Sequence, residues 1–304
     1  MDGGRSRFVM GRQFAVLIVA VRLLLTAPAA SGARVEGDST LIEQYSFGAF
    51  RNATRLGIDR ENRVFVVDAD ANTVSCFSLP GNLLGSMGGY GWGDGSFDVP
   101  TGVAFDGLNV WIADHGNHRI ERFDRRLTFL SSLSTRDTSV EEARFGYPLG
   151  IAVSAMGDLF VLDGENLRVV KFTSSQVFDR SFPGTNVRSG KFERPLKIVV
   201  TDQENVYVAE SDRILQFDYF GNYVQTIGVG FLSGLRGFCA DRNGIIAVTG
   251  DALQFLTTGG ALAKTIPWGS IVTEKPVDQP QDVIVGESGL LLLDRSCVRV
   301  FTFH

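Results

Sequence analysis

Three cysteines, three histidines and four methionines are all that 304 residues supply of the softer chemistry. Cys76, Cys239 and Cys297 stand far apart and form no CxxC pattern, so nothing supports a thiolate zinc site. His115 and His118 share one loop and His304 is the last residue, so a serine–histidine–aspartate set has no base placed to serve it. Positive charge is also in deficit. Lys and Arg number 29 against 34 Asp and Glu, a net charge of −5, which argues against a broad phosphate-binding surface and so against nucleic acid as a partner. Sustained helical periodicity is missing after residue 40, which excludes α/β folds with crossover helices.

What remains is glycine (35 residues), 44% apolar content and a repeat. Short runs rich in Val, Ile, Leu and aromatics alternate with Gly, Asp and Asn, as strands separated by turns do. A strand ending in a carboxylate recurs at 64–68, 110–114, 159–163, 206–210 and 290–294, with a worn copy at 245–249. The steps between its last residues (Asp68, Asp114, Asp163, Glu210, Thr249, Asp294) are 46, 49, 47, 39 and 45. A second marker, Phe77, Phe123, Phe172, Phe217, Phe255 and Phe301, steps by 46, 49, 45, 38 and 46. A third opens each unit: Pro100, Pro148, Pro195 and Pro280, with Ala53 and Leu235 in worn copies.

A period near 45 residues, four strands to a unit, predicts radially stacked blades. The last unit runs out after three strands. Leu41–Phe47 at the other end resembles the fourth strands 127–133 and 222–228, and pairing it into the last blade removes two exposed edges. The expected fold is an all-β, six-bladed propeller over residues 41–304, its last blade closed by the N-terminal strand. Cys76 and Cys297 then fall in blades that adjoin across the closure, the one pair placed for bridging.

Residues 1–33 read as a targeting segment. Arg5, Arg7 and Arg12 precede an apolar run from Phe14 to Val21 and Leu23–Leu25, and small residues follow to Ala33. That is the order of a secretory signal, too short for a comfortable membrane span, with residues 34–40 as linker. Export to the periplasm or the extracellular space is the expectation, without stable membrane insertion after cleavage. An uncleaved signal anchor is the alternative.

The unit at 97–123, Phe-x-x-Pro-x-Gly-Val-Ala-x-Asp followed by Val-x-x-Ala-Asp-x-x-Asn-x-Arg-Ile-x-x-Phe, resembles the NHL repeat. Residues 145–172 are a good second copy, with Phe145, Pro148, Gly150, Asp163, Asn166, Arg168 and Phe172 in matching places. The resemblance implies a propeller and leaves function open, because this fold hosts scaffolds, RNA binders, lactonases and lyases. It also implies that the repeated carboxylates are structural, Asp114 with Arg119 and Asp163 with Arg168 closing hairpin loops. Propeller lyases acting on amidated peptides use metal-binding histidines from several blades, and four blades here have none. The glycine-rich run Met87–Gly93 reads as a flexible connection, since no helix follows it.

The informative positions are those where the repeat breaks its own rule. The glycine of Pro-x-Gly starts each innermost strand, at the mouth of the central channel. Around the ring it reads Arg55, Gly102, Gly150, Lys197, Gly237 and Asp282, with Arg236 alongside. Arg55 and Asp282 could form a structural ion pair or, with Lys197, a ligand site. Tyr90, Trp92 and Trp268 lie on loops of the same face and do not recur, which suits interface anchors. The expected function is a monomeric binding or scaffolding module without cofactor, catalytic residue or metal. It would recognise a protein, peptide or glycan through Arg55, Lys197, Arg236, Asp282, Tyr90, Trp92 and Trp268. The alternative is a gluconolactonase-like, metal-dependent hydrolase or lyase. Two cations and one acid at the channel mouth disfavour it.

Overall fold

The computed structural model describes residues 40–184 and 189–304. The signal and linker readings at 1–33 and 34–39 lie outside these residues. The chain forms six four-stranded antiparallel sheets, each a blade. The innermost strands are Ala53–Ile58, Pro100–Phe105, Pro148–Val153, Lys197–Val200, Gly237–Asp241 and Pro280–Gly286. The only helical pieces among the described residues are single turns at Glu141–Ala143 and Trp268–Ser270. Within five blades the strands pair in sequence order; in the sixth, Leu41–Phe47 pairs with the third strand, Cys297–Phe303, as the outermost member. The register runs from Leu41 opposite Phe303 to Phe47 opposite Val298, and Thr40 and His304 exchange two further backbone hydrogen bonds.

The second strands are buried along their whole length because each is sandwiched between neighbouring blades, as in Val64–Asp68 and Leu159–Asp163. They therefore read as unbroken apolar runs rather than as alternating ones. Alternate residues of one strand feed two different interfaces. Phe160 and Leu162 face blade 4, while Leu159 and Val161 face blade 2. Phe97, Phe145 and Phe192 are buried wedges between successive blades.

This two-sidedness corrects one marker. Phe77, Phe123, Phe172, Phe217 and Phe301 all face the preceding blade, but Phe255 faces the following one. The equivalent residue in blade 5 is Leu256, opposite Ile245 and packed toward blade 4. A one-residue slip in a strand turns a side chain to the other face. With Leu256 in place of Phe255, the last two steps of this marker agree with those of the carboxylate marker.

The three cysteines are free. Cys76 faces blade 2, among Phe65, Val110 and Phe123, and so points away from blade 6 and Cys297. Strand direction sorts the loops. Short turns within blades lie on one face. The opposite, loop-rich face carries the longer connections between blades, such as 89–99, 134–147 and 268–279, and the turns after the second strands.

Candidate functional site

The repeated carboxylates hold this loop-rich face together. Asp68 accepts hydrogen bonds from the Arg51, Asn52 and Ala71 amides at 2.7, 3.0 and 3.1 Å. Asp114 takes the Asp98 amide at 2.8 Å, Asn117 Nδ2 at 2.7 Å and Arg119 Nε at 2.8 Å. Asp163 takes the Gly146 amide and, at 3.4 Å, Arg168 Nε. Glu210 and Asp294 repeat the pattern with the Arg194 and Gln279 amides. Each carboxylate ties the incoming connection to the turn after its own second strand, so these acids are consumed by structure.

The charged ring at the channel mouth closes on itself. Lys197 Nζ lies 2.5 Å from Asp282 Oδ1, reaching from blade 4 to blade 6 past Gly237 of blade 5. Asp282 is fully buried and its other oxygen accepts the Leu56 amide of blade 1 at 3.0 Å. Arg55 spans the ring to the opposite blade, donating to Leu196 O at 2.5 Å, and also donates to Thr54 O. Burial lowers the pKa of both Arg55 and Lys197, and the charge of Asp282 counters this at each. The ion pair is thus Lys197–Asp282, with Arg55 laid across it. The ring glycines are places of close approach: a Cβ on Gly237 would lie 2.5 Å from Asp282 Oδ1, and one on Gly102 would lie 3.0 Å from Gly150 Cα.

The rim carries the exposed groups. Tyr90 and Trp92 are 67% and 72% exposed, and their rings tilt together with centroids 6.0 Å apart. Their glycine-rich loop is pinned rather than free. Arg119 donates to the carbonyls of Trp92, Gly93 and Ser96 at 3.0, 3.0 and 2.7 Å, and Asn117 donates to Gly91 O at 2.8 Å. One guanidinium serving three carbonyls fixes a loop whose glycines would otherwise leave it slack. Beneath it sits Glu121, with no side-chain exposure. Its Oε1 meets Arg119 Nη2 at 3.0 Å and the Gly95 amide at 3.4 Å; its Oε2 has no partner. Burial pushes its carboxyl up to about 7, against the pull of Arg119. Sequence reading passed over Glu121, though the repeat marks it: the equivalent residues in blades 3 and 4, opposite Val161 and Val208, are Val170 and Leu215.

The turn at 115–118 bridges to the next connection. His118 Nδ1 accepts the Tyr147 amide at 3.1 Å and its ring lies 4.0 Å from that of Tyr147; His115 lies 5.3 Å from Tyr147. His118 is therefore a loop histidine packed on the neighbouring blade, its pKa lowered by burial. Arg236 is exposed, with one long contact to Pro280 O at 3.4 Å. Trp268 is half-buried, donates to Thr249 O at 3.2 Å and packs on the core between blades 5 and 6. Of the seven residues singled out by sequence, three meet in the channel and Tyr90 and Trp92 meet on the rim; Arg236 and Trp268 lie along blades 5 and 6.

Among the described residues no three His, Cys, Asp or Glu side chains cluster to hold an ion, and the channel mouth presents ammonium and guanidinium groups instead. This arrangement belongs to a β-propeller. Residues 97–123 and 145–172, in blades 2 and 3, match the family model of the NHL repeat. The chain is a six-bladed β-propeller that carries NHL repeats in blades 2 and 3.

Among characterised proteins it resembles NHL repeat-containing protein 3 of Mus musculus, 32% identical over 80 residues, which is 25% of this chain and 23% of that protein. It also resembles protein brain tumor of Drosophila melanogaster, 29% identical over 113 residues, or 36% of this chain and 11% of that one. The matched stretches thus span less than a quarter of either relative. Of solved structures, a gluconolactonase of Xanthomonas campestris superposes with a TM-score of 0.64 at 17% identity, covering 91% of this chain and 94% of that one. That likeness is one of fold.

Proposed function

We propose that this propeller is an exported binding or scaffolding module that recognises a protein, peptide or glycan through its loop-rich face. The observation that carries the reading is the Tyr90–Trp92 pair, exposed yet held in place by Arg119. Rigid exposed aromatics lose little conformational freedom on binding, which is why they serve as interface anchors. Tyr90, Trp92 and Arg236 supply contacts. Arg55, Lys197, Asp282 and Trp268 lie behind them, keeping the channel mouth and the blade 5–6 rim in shape. The structural likeness to a lactonase gives no second reading weight, since the channel mouth offers cations where a metal would need acids.

Export rests on the charged, apolar and small-residue order of residues 1–33. The test is a pull-down from the organism's own envelope or culture fluid with the purified chain and with Trp92→Ala. Partners captured by the first and lost by the second support the module. Capture that ignores Trp92 and is abolished only by changes on the opposite face would sink it. Fusing residues 1–40 to a reporter should carry it out of the cytoplasm; a reporter retained inside removes the export part.

A further inference from the structure

We propose that the blade 2 sector of the loop-rich face docks a basic segment, rich in Arg or Lys, of a partner protein. The inference rests on the binding-module reading and names the chemistry of the occupant.

Two observations converge. The first is the aromatic surface itself. The Tyr90 and Trp92 rings stand 61° to one another, and a Cβ added to the flanking Gly89 or Gly93 would meet nothing within 4 Å. Space is open on both sides of the pair. Through the turn at 115–118 the surface continues to His115 and to Tyr147, itself 44% exposed. That turn is tied to both sides, by Asn117 to Gly91 O and by His118 to the Tyr147 amide, so the aromatics form one fixed array.

The second is charge. Asp94, Asp98 and Glu165 frame the array, and none has an ion-pair partner among the described residues. Asp94 acts electrostatically on Glu121 beneath the loop. The Asp98 carboxylate lies over Gly116, 2.3 Å from where a Cβ would sit; that of Glu165 lies over Gly146, beside Tyr147. Cations of the same sector are Arg136, close enough to His118 to depress its pKa, and Arg144, Arg168 and Lys191, which line a groove with Glu141, Glu142 and Glu165.

Exposed ring faces with unspent carboxylates at their margin suit a guanidinium or ammonium group, which stacks on the rings while the carboxylates take its charge. The same carboxylates repel an acidic segment.

The experiment is a fluorescence-anisotropy titration of the full chain with labelled short peptides rich in Arg and Lys. The same peptides with Glu in those places, and a labelled neutral oligosaccharide, are titrated in parallel. Basic peptides should bind and acidic ones should not. Trp92→Ala should weaken binding about tenfold at any salt concentration. The Asp94→Asn/Asp98→Asn pair should weaken it several-fold at low salt and have no effect at high salt. Asp202→Asn, in an exposed turn of the opposite face, should leave it unchanged. Basic peptides that bind all variants alike would be answering the net negative charge and would overturn the proposal. Trp92-dependent binding of the oligosaccharide or the acidic peptides, without the basic ones, overturns it while the module reading stands. So does silence from every peptide when the pull-down above still captures a Trp92-dependent partner. Silence in both experiments removes the module as well.

Discussion

Glu121 should make the protein lose stability as the solution is taken from acid to neutral. In the unfolded chain a glutamate titrates near 4.5; buried under the Tyr90–Trp92 loop this one titrates near 7. A folded-state pKa above the unfolded value means the native state holds a proton that the unfolded state has released. The stabilisation is therefore complete below pH ~4.5 and is lost as pH rises through about 7. At about 1.4 kcal/mol per unit, the gap amounts to about 3 kcal/mol across that window. Glu121→Gln removes the titration and keeps an oxygen for Arg119 Nη2 and the Gly95 amide. Its new amide takes the place of Oε2, which has no partner, so the variant carries a pH-independent cost of about 1–3 kcal/mol. The quantity to compare is thus the slope. Urea denaturation of both proteins at pH 5 and pH 8 should show the difference between them shifting by about 2.5 kcal/mol in favour of Gln at the higher pH, since at pH 5 the unfolded glutamate is already mostly ionised. His118, with a lowered pKa, acts in the opposite sense below pH ~6.5 and is common to both, so it cancels. Parallel pH profiles would refute the reasoning and mean that Arg119 holds Glu121 ionised throughout.

Two further outcomes follow from the channel and the closure. Lys197→Met should destabilise by about 3 kcal/mol by leaving Asp282 buried and unpaired, and adding Asp282→Asn should recover most of the loss; additive effects in a denaturation cycle would show that the pair is not coupled. Deleting Leu41–Phe47 strips the outermost strand from blade 6 and uncovers the edge of Cys297–Phe303. Melting should fall by roughly 10 °C or more and the protein should self-associate in light scattering, whereas an unchanged monomer would mean the strand adds nothing.

The blades were legible because most repeat the same local marks at steady spacing: a closing carboxylate in five of the six and an opening proline in four. Closure by Leu41–Phe47 was legible for the same reason, since the last unit visibly lacked a strand that the first residues resemble. The site was legible only in part. Tyr90 and Trp92 were found by their failure to recur. The ring positions of Arg55, Lys197 and Asp282 came from alignment of repeats. Which of them pair did not, because Lys197 skips a blade to reach Asp282, and such chords depend on channel width and side-chain length rather than on sequence spacing. The glycine-rich loop read as slack because its anchor, Arg119, lies 26 residues away from Gly93 on another strand.

The pairing that closes the ring also sets an address for whatever is joined to it. Residues 40 and 304 are hydrogen-bonded neighbours, and both lie where the third strand ends and the outermost begins, on the face of short turns. A tether attached at either residue leaves from one point on the back of the disc. A support joined there would leave Tyr90 and Trp92, on the opposite face, turned away from it, like a dish on a stalk.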